Sequence, residues 1–199
     1  MLDMALWYAR LGWSVFPLRP GAKVPLGGNG HLDATVDEAT IRDWWTRNPD
    51  ANIGIACGSV SGITVIDIDG PQGVASSKQV RGVPSTRMIK TPHGFHLYFM
   101  YNEGFHTGAN FLPGLDVRND GGYVVGPPSV VDDTAYTVLR DEVLAELLLV
   151  PEVGGGLEGS EQAVLHDVFG EGGVVHAGGD VGEQVGPARD EVGLDERVR

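Results

Sequence analysis

The feature that most restricts how this chain can fold is the run Ile63-Thr-Val-Ile-Asp-Ile-Asp69, in which β-branched residues are interrupted near the end by two acids. Such residues favour extended backbone, and apolar side chains on both alternating sets of positions mark a strand covered on both faces. Strand periodicity puts Asp67 and Asp69 on one face with Val65, their Cα atoms about 7 Å apart, and sends Thr64, Ile66 and Ile68 to the other. Two carboxylates so close repel unless a cation lies between them. Magnesium or manganese suits an all-oxygen site that keeps positions for water and phosphate. The alternative is an Asp-x-Asp-Gly turn whose acids are simply solvated at a strand end.

Asp116 favours the metal. It lies in Gly114-Leu-Asp-Val-Arg118, a second short apolar strand with a lone acid inside it, and the two-residue period puts Arg118 on the same face. A carboxylate there is costly unless paired or metal-bound. Either Asp116 and Arg118 form an ion pair across that face, or Asp116 is a third metal ligand and Arg118 meets phosphates drawn in by the metal. His96 opens the strand His-Leu-Tyr-Phe after the loop Lys90-Thr-Pro-His-Gly-Phe95, whose glycine allows close backbone approach. Its imidazole can donate to a phosphate oxygen or a sugar hydroxyl, or it is an ordinary core or surface histidine. His93 is a further candidate in that loop. The glycine-rich stretch Asn119-Asp-Gly-Gly-Tyr-Val-Val-Gly-Pro-Pro-Ser129 suits a tight hairpin or a loop whose amides face an anion. Three strand acids, a histidine, an arginine and loop lysines such as Lys23 fit phosphoryl transfer with metal ions, though a phosphodiesterase could use the same parts.

The rest of the chain supplies a frame for these strands. Helical spacing over 3–11 and again over 35–47, the second with a Thr35 cap and early Asp37 and Glu38, predicts two helices. A strand over 13–18 lies between them, closed by a proline-rich loop that carries Lys23. The runs 52–58 and 63–70, separated by Ser59-Val-Ser-Gly62, are predicted to pair as a hairpin. Strands are expected over 87–90, 96–101, 114–118, 122–126 and 136–139, with a loop or short helix over 70–85 and a last helix over 141–149. Residues 154–199 hold twelve glycines and one aromatic, Phe169. Such a segment cannot bury enough apolar surface to offset its ordering entropy. The expected organisation is a catalytic domain over 1–150 and a glycine-rich acidic tail over 151–199, disordered or a linker. A shifted reading frame is an alternative origin for that tail.

A net charge of −13 argues against a nucleic-acid partner, because phosphate affinity comes from Lys and Arg. The distribution weakens that objection: of 27 acidic and 14 basic residues, 16 and 11 precede the cut after Leu149, while 11 and 3 follow it. The single cysteine, Cys57, excludes an internal disulfide and a thiolate zinc site, and is expected to be a buried thiol. No apolar run approaches a membrane span, and the N-terminus lacks a signal-peptide pattern, so a cytoplasmic location is expected.

Taken in order, five segments carry a resemblance. They are Gly12-Trp-Ser-Val-Phe-Pro-Leu-Arg-Pro-Gly-Ala-Lys-Val-Pro25, Trp44-Trp-Thr-Arg-Asn-Pro-Asp-Ala-Asn-Ile-Gly-Ile-Ala56, Val65-Ile-Asp-Ile-Asp-Gly70, Thr91-Pro-His-Gly-Phe-His-Leu-Tyr-Phe99 and the stretch from Gly114 through Ser129. Together, over about residues 3–138, they resemble the bifunctional DNA primase/polymerase N-terminal (prim-pol) domain of the archaeo-eukaryotic primase superfamily. The resemblance implies an α+β fold: a palm like the RNA-recognition motif with a mainly antiparallel sheet, flanked by an additional α/β unit. It implies a DNA-templated primase/polymerase of the plasmid, phage or prophage replication type, using nucleoside triphosphates, a single-stranded DNA template and magnesium or manganese, with a replicative helicase supplied separately. It assigns Asp67 and Asp69 to the first metal motif, Asp116 to the third and His96 to nucleotide binding, with Arg118 and Lys23 as triphosphate contacts. The family often reads Ser-Gly-Gly-Arg-His before Leu-Tyr-Phe, whereas here the loop is His93-Gly-Phe-His96, and His93 is expected to substitute in part for the lost basic neighbour. A metal-dependent nuclease and an inactive nucleotide- or DNA-binding remnant remain the competing readings.

Overall fold

The computed structural model describes residues 1–80 and 83–147, so the expected tail over 151–199 lies outside the described residues. Helix α1 (Leu2–Arg10) buries Ala5, Leu6, Tyr8 and Ala9 and gives way at Gly12, whose φ of +83° is the left-handed turn that ends it. Strand β1 (Val15–Leu18) follows. Helix α2 (Glu38–Arg47) is capped by Asp37, whose Oδ2 accepts the Thr40 amide at 2.8 Å. Thr35, the expected cap, instead exchanges backbone hydrogen bonds with Val15 and turns its hydroxyl to the Asp37 amide.

Next come β2 (Asn52–Ala56), β3 (Ile63–Asp69), α3 (Gly70–Ser77), β4 (Arg87–Lys90), β5 (Gly94–Met100), β6 (Gly108–Leu112), β7 (Leu115–Arg118), β8 (Tyr123–Gly126), β9 (Val130–Val131), β10 (Thr134–Ala135) and β11 (Thr137–Arg140). A six-stranded sheet has the order β11-β4-β5-β3-β7-β6, a three-stranded sheet the order β1-β2-β8, and β9 and β10 form a ribbon. Every ladder between these strands is antiparallel. The class is therefore α+β with mainly antiparallel sheets, as the resemblance implied. Among the described residues no helix is long and apolar enough to cross a membrane.

Two expectations are corrected. β2 and β3 do not form a hairpin; they lie in different sheets, and the connection between them closes through a Gly58–Ile63 bridge. β2 is instead flanked on both edges by β1 and β8 in full register. Gly54 makes the β1 pairing possible, because a Cβ there would stand 2.5 Å from the Phe16 ring. The helix expected from residue 141 is also not formed: the described part, 141–147, has no helix, and Ala145 bridges Phe99 in parallel. The Met100 amide donates to the Ala145 carbonyl at 2.9 Å and the Ala145 amide to the Thr86 hydroxyl at 3.1 Å. Pairing beside β5 satisfies the backbone there while Ala145 and Leu147 cover apolar sheet surface.

The six-stranded sheet is packed on both faces. One carries Ile66, Ile68, Met88, Leu97, Phe99, Leu115 and Val117 and is covered by Val74, Val80 and Ala145 among others. The other carries Ile63, Val65, Ile89 and Tyr98 against a core shared with α1, α2 and the three-stranded sheet. Tyr8, Trp13 and Tyr98 stack in series at 5.6 and 5.5 Å, and the buried Arg87 guanidinium lies over Trp7 and Trp13 while its end pairs with Asp141. Cys57 is a free, buried thiol, and burial pushes its pKa up. Asp67 and Asp69 belong to the face that meets the smaller sheet.

Candidate active site

Three adjacent strands set one row of side chains across the sheet. Asp67 of β3 is the direct cross-strand partner of His96 on β5 and of Asp116 on β7. Directly opposed residues have Cα atoms about 4.5–5.5 Å apart, so the row is formed by register alone. One step along β3, Val65 pairs with Arg118, which brings the guanidinium diagonally across to the acids. The expected strands thus converge on a common centre.

His96 Nε2 stands 3.3 Å from Asp67 Oδ1, and Arg118 lies 2.7 Å from Asp116 Oδ2 and 3.6 Å from Asp67 Oδ2. Asp67 exposes only 13% of its side chain. Burial is the largest single influence and pushes its carboxyl up, but His96, Arg118 and Lys23 together hold it below the usual carboxylate range. These partners together outweigh burial, and Asp67 is an anion at neutral pH. Asp69 goes the other way: burial and the nearby Asp67 charge raise its pKa, with Asp116 adding to the effect. Lys23 and His96 pull the Asp69 pKa down without cancelling that rise. His96 Nδ1 is buried without a hydrogen-bond partner among the described residues, a condition that costs about 1–3 kcal/mol where it occurs.

The row opens into a cleft of about 280 Å³ lined by Asp67, Asp69, His96, Arg118 and Lys23. Asp116 does not line the cleft itself; Arg118, which it binds, does. His93 is not brought in: its side chain is exposed and off the cleft, and its carbonyl is used to accept the Gly70 amide at 2.8 Å. The glycine-rich stretch is not a hairpin, since β7 and β8 lie in different sheets; it carries the chain between them and contributes Gly121 and Gly122 to the cleft wall. The sequence reading missed His31, Tyr123 and Tyr136, which also line the cleft. Tyr136 lies 5.7 Å from the His96 ring, and burial, then Asp67 and Asp69, raise its hydroxyl pKa. Tyr123 follows the paired glycines directly, which was a usable signal; His31 sits in a polar loop and gave none.

The donor set offers oxygen only, from two directly opposed carboxylates and a third on the same face, which is the chemistry of magnesium or manganese. Among the described residues no three His, Cys, Asp or Glu groups stand at ligand geometry, and the Arg118 guanidinium bridges Asp116 and Asp67 instead. The residues therefore fit the ion in donor chemistry, with Arg118 as the group that must give way. Both sequence readings of Arg118 meet here, since the ion pair exists and the guanidinium faces the cleft.

The family model of the bifunctional DNA primase/polymerase N-terminal domain matches residues 5–152. Comparison with curated proteins finds no match.

Proposed function

Because the chain belongs to the bifunctional DNA primase/polymerase N-terminal family, with the primase/polymerase type of replication function that this carries, we propose that it performs metal-dependent nucleotidyl transfer from nucleoside triphosphates on a single-stranded DNA template. The observation that carries the reading is the cross-strand row His96–Asp67–Asp116 with Arg118 laid against it at the mouth of the cleft.

In the reaction the oxygen of a 3′-hydroxyl attacks the α-phosphorus and gives up its proton to solvent water, the bond to the bridging oxygen of the β-phosphate breaks, and pyrophosphate leaves with that electron pair. Asp67, Asp69 and Asp116 would hold a magnesium or manganese ion, whose chemistry there is to activate the attacking oxygen and neutralise charge on the leaving group. Arg118, released from Asp116, and Lys23 bind triphosphate oxygens as fixed positive charge. His96 orients Asp67 through its Nε2 contact and lines the nucleotide's cleft. Such preorganised charge is worth most in a site partly closed to water. The setting we propose is replication of a plasmid, phage or prophage in the cytoplasm, with a helicase supplied separately.

Primer synthesis on single-stranded DNA with magnesium or manganese tests the reading, and product formation that survives both Asp67→Ala and Asp116→Ala would sink the mechanism. Labelled DNA incubated with metal but no triphosphate separates the nuclease alternative, since only a hydrolase degrades it.

A further inference from the structure

We propose that His31 and Tyr123 form a ledge on which the base of the incoming nucleoside triphosphate stacks; this deepens the reading above and rests on it. The acids and Lys23 serve the phosphate end of a nucleotide and offer no surface to a flat base, and the Arg118 guanidinium is engaged by Asp116 and Asp67. Four aromatic rings line the same cleft; His96 and Tyr136 are tilted by 49° to each other, whereas His31 and Tyr123 have centroids 6.0 Å apart and planes only 22° from parallel. That is offset stacking, which leaves part of each ring face open.

The ledge is built rather than incidental. Phe16 abuts the Tyr123 ring edge to face at 5.2 Å, and the Tyr123 hydroxyl donates to the Lys23 carbonyl at 3.0 Å. One residue thus fixes the ring plane and the backbone that presents the cleft lysine. His31 sits in a single 3₁₀ turn, Gly30–Asp33. Gly30 holds a φ of +61°, and a Cβ there would stand 3.3 Å from Pro25, so the turn is pressed onto the proline-rich loop. Asn29 donates to Asp33 across the turn at 2.9 Å.

The competing reading, in which the pair is only the margin of the core, accounts for Tyr123, which packs against the apolar cluster, but not for His31. His31 is only partly buried, in a polar turn, and its ring stacks on Tyr123 at the cleft wall. Its ring nitrogens are left to meet a base edge or a ribose hydroxyl. Stacking on an aromatic surface tolerates every base, as a templated enzyme requires, since the template makes the choice.

The test is binding by the full chain of each of four nucleoside triphosphates and of inorganic tripolyphosphate, followed by calorimetry with manganese present. His31→Ala should weaken every nucleoside triphosphate about tenfold or more while leaving tripolyphosphate unchanged. His31→Phe should restore most of the loss, and Tyr123→Leu should reproduce it if circular dichroism shows the fold intact. Equal nucleotide affinity in His31→Ala and the parent overturns the ledge, and so does an equal loss for nucleotide and tripolyphosphate. A parent chain that binds nucleotides but makes no primer refutes the polymerase reading alone, because the His31 comparison still decides the ledge. A parent chain that binds neither ligand overturns both.

Discussion

Asp67 and His96 face each other directly across β3 and β5, with Nε2 3.3 Å from Oδ1. Replacing the carboxylate by an amide of the same shape, Asp67→Asn, removes a charge from the centre of the row while leaving the strand intact. Primer synthesis should fall by more than about 10²-fold, and Asp116→Asn should do the same. Gel analysis of labelled products checks the loss, with circular dichroism confirming that both variants are folded.

Arg118 binds Asp116 and approaches Asp67, so it competes with a divalent ion for the same carboxylates. Arg118→Gln should bind manganese more tightly than the parent when nucleotide is absent, measured by calorimetry. The same variant should need a higher nucleotide concentration, with KM raised roughly 10- to 100-fold for loss of a charged hydrogen bond. A rise in KM without the gain in metal affinity would mean that Arg118 serves the phosphate alone.

Asp69 has a raised carboxyl pKa, from burial first and Asp67 second, and this fixes the sign of a pH effect. The folded chain holds that proton more tightly than the unfolded chain, whose carboxyl titrates near about 3.9. Above the raised value the ionised group therefore costs stability, and the cost disappears as pH falls to about 4 and below. Asp69→Asn should melt at a higher temperature than the parent at pH 7 without metal, with the gap closing near pH 4. Asp67, with its lowered pKa, contributes in the opposite sense: its stabilisation is present above the unfolded value and is lost as pH falls through the folded one. Manganese should raise the melting temperature of the parent more than that of Asp69→Asn.

Gly94 pairs with Asp69 across β5 and β3, and a Cβ on it would stand 1.8 Å from the Ile68 carbonyl oxygen. That contact is with backbone, so the two strands must part where the acids are presented. Gly94→Ala should lose about 2 kcal/mol or more in urea denaturation and most of its primer synthesis. Gly108→Ala, whose nearest neighbour would lie 3.9 Å away, should stay within about 0.5 kcal/mol of the parent.

Most strands were legible because their signal is local: β3, β5, β7 and β8 are short apolar runs bounded by glycine, proline or asparagine. Asp67, Asp69 and Asp116 were legible for the same reason, as acids inside strands that otherwise exclude them. What the chain did not declare locally was partnership. Ser59-Val-Ser-Gly62 looks like any hairpin loop, and only Phe16 crossing above Gly54 shows that β2 belongs with β1. Residues 141–147 have leucines at helical spacing, yet an open backbone position beside Phe99 and the buried Arg87 waiting for Asp141 draw the segment out straight. His31 shows the same limit in the site, since its role depends on a ring 92 positions away in the numbering of the chain.

The register that sets His96, Asp67 and Asp116 side by side also dictates when the centre can exist. Asp67 leaves the ribosome well before Asp116, and its strand lacks at least one neighbour until β5 and β7 have both been made. Until β7 is made the acids of β3 lack the Arg118 guanidinium and the opposing Asp116 carboxylate, and the row is incomplete. Non-local pairings of this kind close late in folding. The row is therefore complete only when β7, the last of its three strands to be made, has docked beside β3.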